Sequence, residues 1–320
     1  MSKTLKNKNL KNKTISIVSP CFNEEGNVIN LYNAILKVMK NQPYKYEHIF
    51  IDNSSTDSTV EKIKKLAKKD KNLKLIVNTR NFGAIRSPFF GVVQSSTDAC
   101  ILIPTDFQVP PKLINEFIKS WENGFKIVLA KKESSDENKF MVYLRKKYYN
   151  FMQIISEVTI LENCTGFGLF DKDVVDILRE IDDPYPYFRG LLMEIGYPVS
   201  LIPYNEPKRV YGESSYNFFS LYDYFMLGMT QHSKLPIRFI TMFGFLVSVL
   251  SLLIAIYFSA MRLICPDTCS DGGSPLLIGI FFFGSIQAFF IGILGEYIGS
   301  IHTKQRKMPL VVVKERVNFK

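Results

Sequence analysis

Short, β-branched apolar runs alternate along this chain with longer stretches in which apolar positions recur every three or four residues. The runs lie at Thr14–Ser19, Glu47–Ile51, Leu73–Val77, Ala99–Ile103 and Lys126–Leu129, each the length of a strand. Between the second and third, Ser58–Asp70 places Val60, Ile63 and Leu66 on one helical face among lysines. Strand and helix alternating at this spacing predict an α/β fold, with a mostly parallel sheet covered on both faces. Ligands of such sheets bind beyond the carboxyl ends of the strands. Three of the segments leaving these strands are acidic: SPCFNEE, IDNSSTD and PTDFQ. The first two lead into helices, and Pro110 and Pro111 open the helix after the third. The pattern therefore gathers three acidic turns on one edge of one sheet.

Toward the C-terminus the pattern changes. Phe140–Val158 mixes Arg145, Lys146 and Lys147 with aromatic and aliphatic residues, and Tyr216–Lys234 is aromatic along much of its length. Both read as amphipathic helices, either core helices with solvated lysines or helices lying in a membrane interface. Phe239–Met261 and Leu276–Gly295 contain no charged residue and have the ~20 residues needed to cross a hydrocarbon core. His232, Lys234 and Arg238 precede the first, and Lys304, Arg306 and Lys307 follow the second. The connecting loop, Arg262–Pro275, has one arginine and two aspartates. These flanks predict a transmembrane hairpin, multi-pass in the inner membrane, with both termini and the α/β unit cytoplasmic. Cys265 and Cys269 then face an oxidising space, where a disulfide between them is open. Cys21, Cys100 and Cys164 lack metal-ligand spacing and read as small core residues. Gly295 and Gly299 permit close helix approach, and with it a homo-oligomer.

Composition agrees with membrane contact: hydrophobic residues reach 47% and phenylalanine alone contributes 26. Of the formal net charge of +10, half sits in Lys3, Lys6, Lys8, Lys11 and Lys13, in a tail without acids that reads as a disordered arm. No apolar segment follows it of the kind a signal peptide carries. The excess charge suits solubility, anionic lipid or a phosphorylated substrate. Nucleic acid is not expected, because no basic-aromatic groove motif is present. Neither G-x-G-x-x-G nor a Walker phosphate loop occurs.

Acidic strand ends suit a nucleotide-sugar. Carboxylates accept from base and ribose, and a divalent cation on carboxylate oxygen meets the diphosphate and stabilises it as a leaving group. SPCFNEEGNV, IDNSSTDST, RNFGAIRSPFFGV and PTDFQVPP, in this order, resemble the family 2 glycosyltransferases of GT-A fold. The branch most similar contains dolichol-phosphate mannose synthase and the bacterial polyprenyl-phosphate glycosyltransferases. RVYGESSYNFFSLYDY, two spans and KMPLVVVKERVNF extend the resemblance over nearly the whole chain after Thr14.

The resemblance implies that Pro20, Asn23, Glu24, Asp52, Asp57, Arg80 and Asn81 bind the nucleotide. It makes Asp106 the metal ligand and, with Arg209, catalytic. Gln108 would neighbour the cation at the diphosphate, and Arg209, Gly212 and Ser214 match the R-x-x-G-x-S pattern that closes over the diphosphate. Arg145, Lys146, Lys147 and Arg189 are further candidates to hold the diphosphate or acceptor phosphate, the Arg145–Lys147 run serving equally well as attraction to a lipid surface. It also implies the division 1–13 basic tail, 14–212 GT-A catalytic domain, 213–237 juxtamembrane amphipathic helix, 238–301 transmembrane hairpin and 302–320 cytoplasmic tail. Three positions depart from the family pattern: Pro104 stands for the first acid of D-x-D, Asn53 for the second of a paired acid, and Gly166 where some relatives carry aspartate. The implied Mg2+ or Mn2+ then rests on Asp106, diphosphate oxygens and water, with its identity and the strictness of dependence open. The expected activity is inverting transfer of a sugar from a nucleotide diphosphate to polyprenyl, undecaprenyl-type, phosphate at the cytoplasmic leaflet. Two alternatives stand beside it: transfer to a hydroxyl of a lipid-linked glycan, and an inactive membrane scaffold of the same fold.

Overall fold

The structure, a computed structural model, describes residues 13–134, 147, 153, 161–207, 218–264 and 273–319. The basic tail, Arg145, Lys146, Arg209, Gly212, Ser214, Cys265 and Cys269 lie outside the described residues. The first four strands, β1 (Thr14–Cys21), β2 (Lys45–Asp52), β3 (Leu73–Asn78) and β4 (Ala99–Leu102), coincide with expected apolar runs. They pair in parallel in the order β4-β1-β2-β3. Helices α1 (Val28–Met39), α2 (Thr59–Lys69) and α3 (Gly83–Val93) make the crossovers. Pro111–Leu113 forms a 3₁₀ turn that opens α4 (Ile114–Glu122), which leads to β5 (Ile127–Ser134). α1, α2 and α4 cover one face of the sheet. The other face is covered by α3, α5 (Lys172–Glu180) and α6 (Phe188–Glu194). Phe50, Phe117, Ile15 and Ile17 on the first face, and Phe89 and Phe170 on the second, are fully buried, each side chain contributing roughly 1.5–3 kcal/mol.

Three strands lie outside the expected pattern. β6 (Cys164–Asp171) runs antiparallel between β4 and β5, and β7 (Val199–Asn205) pairs parallel with β5. The third, β8 (Val313–Val317), lies in the segment read as a cytoplasmic tail, and it pairs antiparallel with β3. The full order among the described residues is β7-β5-β6-β4-β1-β2-β3-β8, a mixed sheet with a parallel centre. An unbroken polar stretch hides β8: Lys314, Glu315 and Arg316 follow one another and are exposed, so no apolar run marks its centre.

α7 (Phe218–His232) precedes two long helices, α8 (Leu235–Ile264) and α9 (Gly273–Gln305). They touch at Phe243 and Phe290, whose rings meet edge-on at 5.6 Å. Their apolar side chains face outward: Phe239, Met242, Phe245, Phe289 and Ile291 are each at least 64% exposed. Among the described residues, one helix, Phe282–Gln305, is by itself long and apolar enough to cross a membrane, while the start of α8 qualifies only together with α7, across a 72° bend. Both ends of this pair are fastened to the α/β unit. On the entry side, Gln231 of α7 bonds the backbone of Tyr185 and Tyr187. On the exit side, Lys304 pairs with Asp183 at 3.4 Å, and β8 joins the sheet.

Candidate active site at the carboxyl edge of the sheet

β2 and β3 lie on one side of β1, and β4 on the other. The crossover direction thus reverses between β1 and β4, the position beyond whose strand ends sheets of this kind bind ligands. The Thr105 hydroxyl donates to the Pro20 carbonyl at 2.8 Å and bridges the turns after β4 and β1. Asp106 follows directly, 9% exposed, its Oδ1 accepting from the Gln108 amide at 3.1 Å. Phe107 between them takes a φ of 61°, the left-handed bend that brings Gln108 back toward the carboxylate. Tyr204 of β7 stands near Asp106. Burial first, then the negative charges of Glu206 and Asp106, drive its phenol well above its ordinary range.

The turns after β1 and β2 lace together. Asn23, at a φ of 55°, donates its amide to the Ser55 hydroxyl and accepts from the Thr56 amide with Oδ1, both at 2.9 Å. Glu24 takes the Asn27 side-chain amide at 2.6 Å, and its own N–H donates to the Thr59 hydroxyl. Asp57 Oδ1 accepts from the Thr59 amide and Oδ2 from the Glu25 amide, so one carboxylate joins both turns. Asp52 is completely buried; the Ser55 amide and hydroxyl bond its two oxygens. Burial pushes its carboxyl upward, against the pull of the Ser55 bonds. Asn23, Glu24, Asp52 and Asp57 therefore sit in these two laced turns, while Thr105, next to Asp106, reaches Pro20.

Arg80 and Asn81 form the adjoining turn. The Arg80 guanidinium lies 4.1 Å from the centre of the Phe82 ring, and Arg86 stacks on the same ring at 5.2 Å. Arg189, on α6, lines a small cavity with Leu129, Leu161, Cys164, Gly166 and Met193. Its cation, with that of Lys131, pulls down the Cys164 thiol, which burial nonetheless holds at about 11. Lys147 is exposed in a helical backbone. Cys21, Cys100 and Cys164 are buried free thiols, as their spacing predicted.

Three contributors escaped the motif reading: Thr105, Ser55 and Tyr204. A threonine or serine in a polar turn carries no distinguishing pattern. Tyr204 sits on a strand far along the chain, and only the sheet order brings it here.

As for a cation, no group of three His, Cys, Asp or Glu side chains converges among the described residues. The oxygen ligand at the turn after β4 is the Asp106 carboxylate, which also accepts the Gln108 backbone N–H. One carboxylate suits a hard divalent cation that completes its shell from diphosphate and water.

Residues 16–178 match the family model described as glycosyl transferase family 2. A bactoprenol glucosyl transferase of Shigella phage SfX is 32% identical over 94% of this chain and 99% of its own length. The putative glycosyltransferase CsbB of Bacillus subtilis is 30% identical over 96% of this chain and 93% of its own. The solved glucosyl-3-phosphoglycerate synthase of Mycobacterium tuberculosis, in complex with Mn2+ and UDP-Glc, is 14% identical over 72% of this chain and 81% of that chain, at a TM-score of 0.47.

Proposed function

The chain belongs to glycosyl transferase family 2, and from that premise we propose that it moves a sugar from a nucleotide diphosphate to polyprenyl phosphate, with inversion, at the cytoplasmic leaflet. The observation that carries this reading is the span of the Shigella phage relative. The similarity runs through 94% of this chain, including helices that expose phenylalanine and isoleucine side chains, and that relative acts, by its name, on bactoprenol.

In this reading, the laced turns around Asp52 and Asp57 and the Arg80–Asn81 turn hold the nucleotide. Asp106 would hold the divalent cation, with Gln108 at the diphosphate; when bound, the cation would supply positive charge for the departing nucleoside diphosphate. An acceptor phosphate oxygen bonds the anomeric carbon. The bond from that carbon to the β-phosphate oxygen breaks, and the nucleoside diphosphate leaves with the electron pair. A phosphate ester has a second pKa of about 6, so the acceptor is already largely dianionic at neutral pH and no protein base need take a proton from it. Arg145, Arg189 and Arg209 are the proposed phosphate contacts, with Ser214 donating a hydrogen bond.

Residues 14–212 form the proposed catalytic unit, extended by β8, and α8 and α9 the proposed membrane hairpin. Fastening of both α7 and the end of α9 to the α/β unit supports an even number of crossings. Lys234, Arg238, Arg306 and Lys307 at that end support a cytoplasmic active site.

The test is incubation of the purified full chain with undecaprenyl phosphate and a panel of labelled nucleotide-sugars. One labelled lipid-phosphate sugar is expected. No such product with any donor overturns the proposal, and a product of larger mass assigns a glycan acceptor instead. Asp106→Asn is expected to lower turnover by roughly 100-fold or more. An Asp106→Asn chain as active as the parent removes Asp106 from the cation site.

A further inference from the structure

Asn53, the position at which this chain departs from a paired acid, is completely engaged. Its Oδ1 accepts from the Phe82 backbone amide at 2.9 Å and from Asn78 Nδ2 at 3.2 Å. Its Nδ2 donates to Asn81 Oδ1 at 2.7 Å and to the Gly83 carbonyl at 3.2 Å. The orientation of the amide is fixed by backbone on both sides: an N–H at one end and a carbonyl at the other. Asn81 is fixed in turn, because its Oδ1 also accepts the Gly83 amide at 2.8 Å. The Asn53 side chain is 7% exposed, so water does not substitute for these partners.

We infer that Asn53 is a positioning residue: its amide, through paired donor and acceptor faces, sets the Arg80–Gly83 turn in the shape that receives the nucleoside diphosphate. The inference rests on the proposed role of that turn in donor binding. An ionised aspartate at position 53 has no proton to give. It turns a bare oxygen toward Asn81 Oδ1 and the Gly83 carbonyl, and three acceptors crowd one point. Flipping Asn81 does not relieve this, because its NH2 would then face the Gly83 N–H. In this chain the amide at 53 thus matches the donors and acceptors of the turn it holds. A protonated aspartate regains one donor and with it the bond to Asn81.

The experiment titrates the full-length parent and Asn53→Asp with UDP and with GDP by calorimetry, at pH 8 and at pH 5.5, alongside melting curves. The expected ratio of variant to parent Kd is about tenfold or more at pH 8 and closes to within about threefold at pH 5.5. A ratio near one at both values, or a lowered Tm with a ratio that ignores pH, overturns the inference while leaving the proposed function standing. A parent chain that binds neither nucleotide overturns both. If Asn53→Asp does not fold, Gly83→Ala takes its place. Gly83 has a φ of +86° and nothing within 4 Å of an added Cβ, so alanine strains the turn and leaves the packing intact. About fivefold weaker binding is expected; unchanged binding overturns the inference.

Discussion

Asp52 and Asp57 stand on one turn and titrate in opposite directions. Burial drives the Asp52 carboxyl up. At Asp57 burial also pulls upward, but the hydroxyl and amide of Thr59 and the amide of Glu25 hold the carboxyl below its usual range. Asp57 therefore adds stability above its unfolded pKa of about 3.9, and that is lost as pH falls through its lower folded value. His48 sets the larger pH dependence. It is buried against Phe50, with Nε2 3.0 Å from the Ser19 hydroxyl, and burial pushes it down to about 3. Its folded pKa lies below the unfolded value, so the unfolded chain takes up a proton that the native chain refuses. Stability falls as pH drops from about 6.5 toward 3, by about 1.4 kcal/mol per unit from this group. Melting curves from pH 7 to pH 4.5 are expected to show a steeper fall for the parent than for His48→Gln. Equal slopes would show that His48 takes up its proton in the native state. At this scale the acidic turns were legible as a group, since carboxylates after apolar runs leave a pattern. The direction of each titration was not, because burial is a property of the neighbours.

Among the elements, β6 shows how tightly the sheet is closed. It lies between β4 and β5, and a Cβ added to Gly168 would sit 2.0 Å from the Val128 carbonyl oxygen. The obstacle is backbone of a paired strand, so the strand itself must shift. Gly168→Ala is expected to cost about 3 kcal/mol, read by denaturant unfolding of the full chain. A loss under about 1 kcal/mol would mean that β5 yields easily at that point. The first four parallel strands were readable because their centres are buried on both faces and each carries a short apolar, β-branched run. β7 and β8 were not, since half of each strand faces water, and β6 carries glycines that weaken any apolar run. The long helices were readable for the opposite reason: nothing charged interrupts them for about the ~20 residues a membrane requires.

Over the whole molecule, the segment after α9 ties the two long apolar helices to the proposed donor site. The Thr79 amide bonds the Val312 carbonyl at 2.9 Å, and Arg86 bonds the Pro309 carbonyl at 2.6 Å, so the strap grips both sides of the Arg80–Gly83 turn. Asn318 Nδ2 fastens its far end to the carbonyls of Ala67, Asp70 and Leu73, and Lys64 pairs with Glu315. Deleting residues 309–320 is expected to lower Tm, expose the β3 edge to aggregation and raise the donor KM more than it lowers kcat. A KM equal to the parent's would show that the turn holds its shape without the strap. Hydrophobic periodicity, the order of acidic turns and the length of the apolar stretches determined by themselves the α/β class, the sheet edge that gathers the acidic turns and the two long apolar helices. These are local properties, written in residues close together in sequence. Only the tertiary structure decided that an amide at position 53 frames a turn nearly 30 residues later, that Tyr204 stands by Asp106, and that the C-terminus closes the sheet. Those depend on pairings between distant segments, and hydrogen-bond partners at such separations leave no periodic trace in the chain.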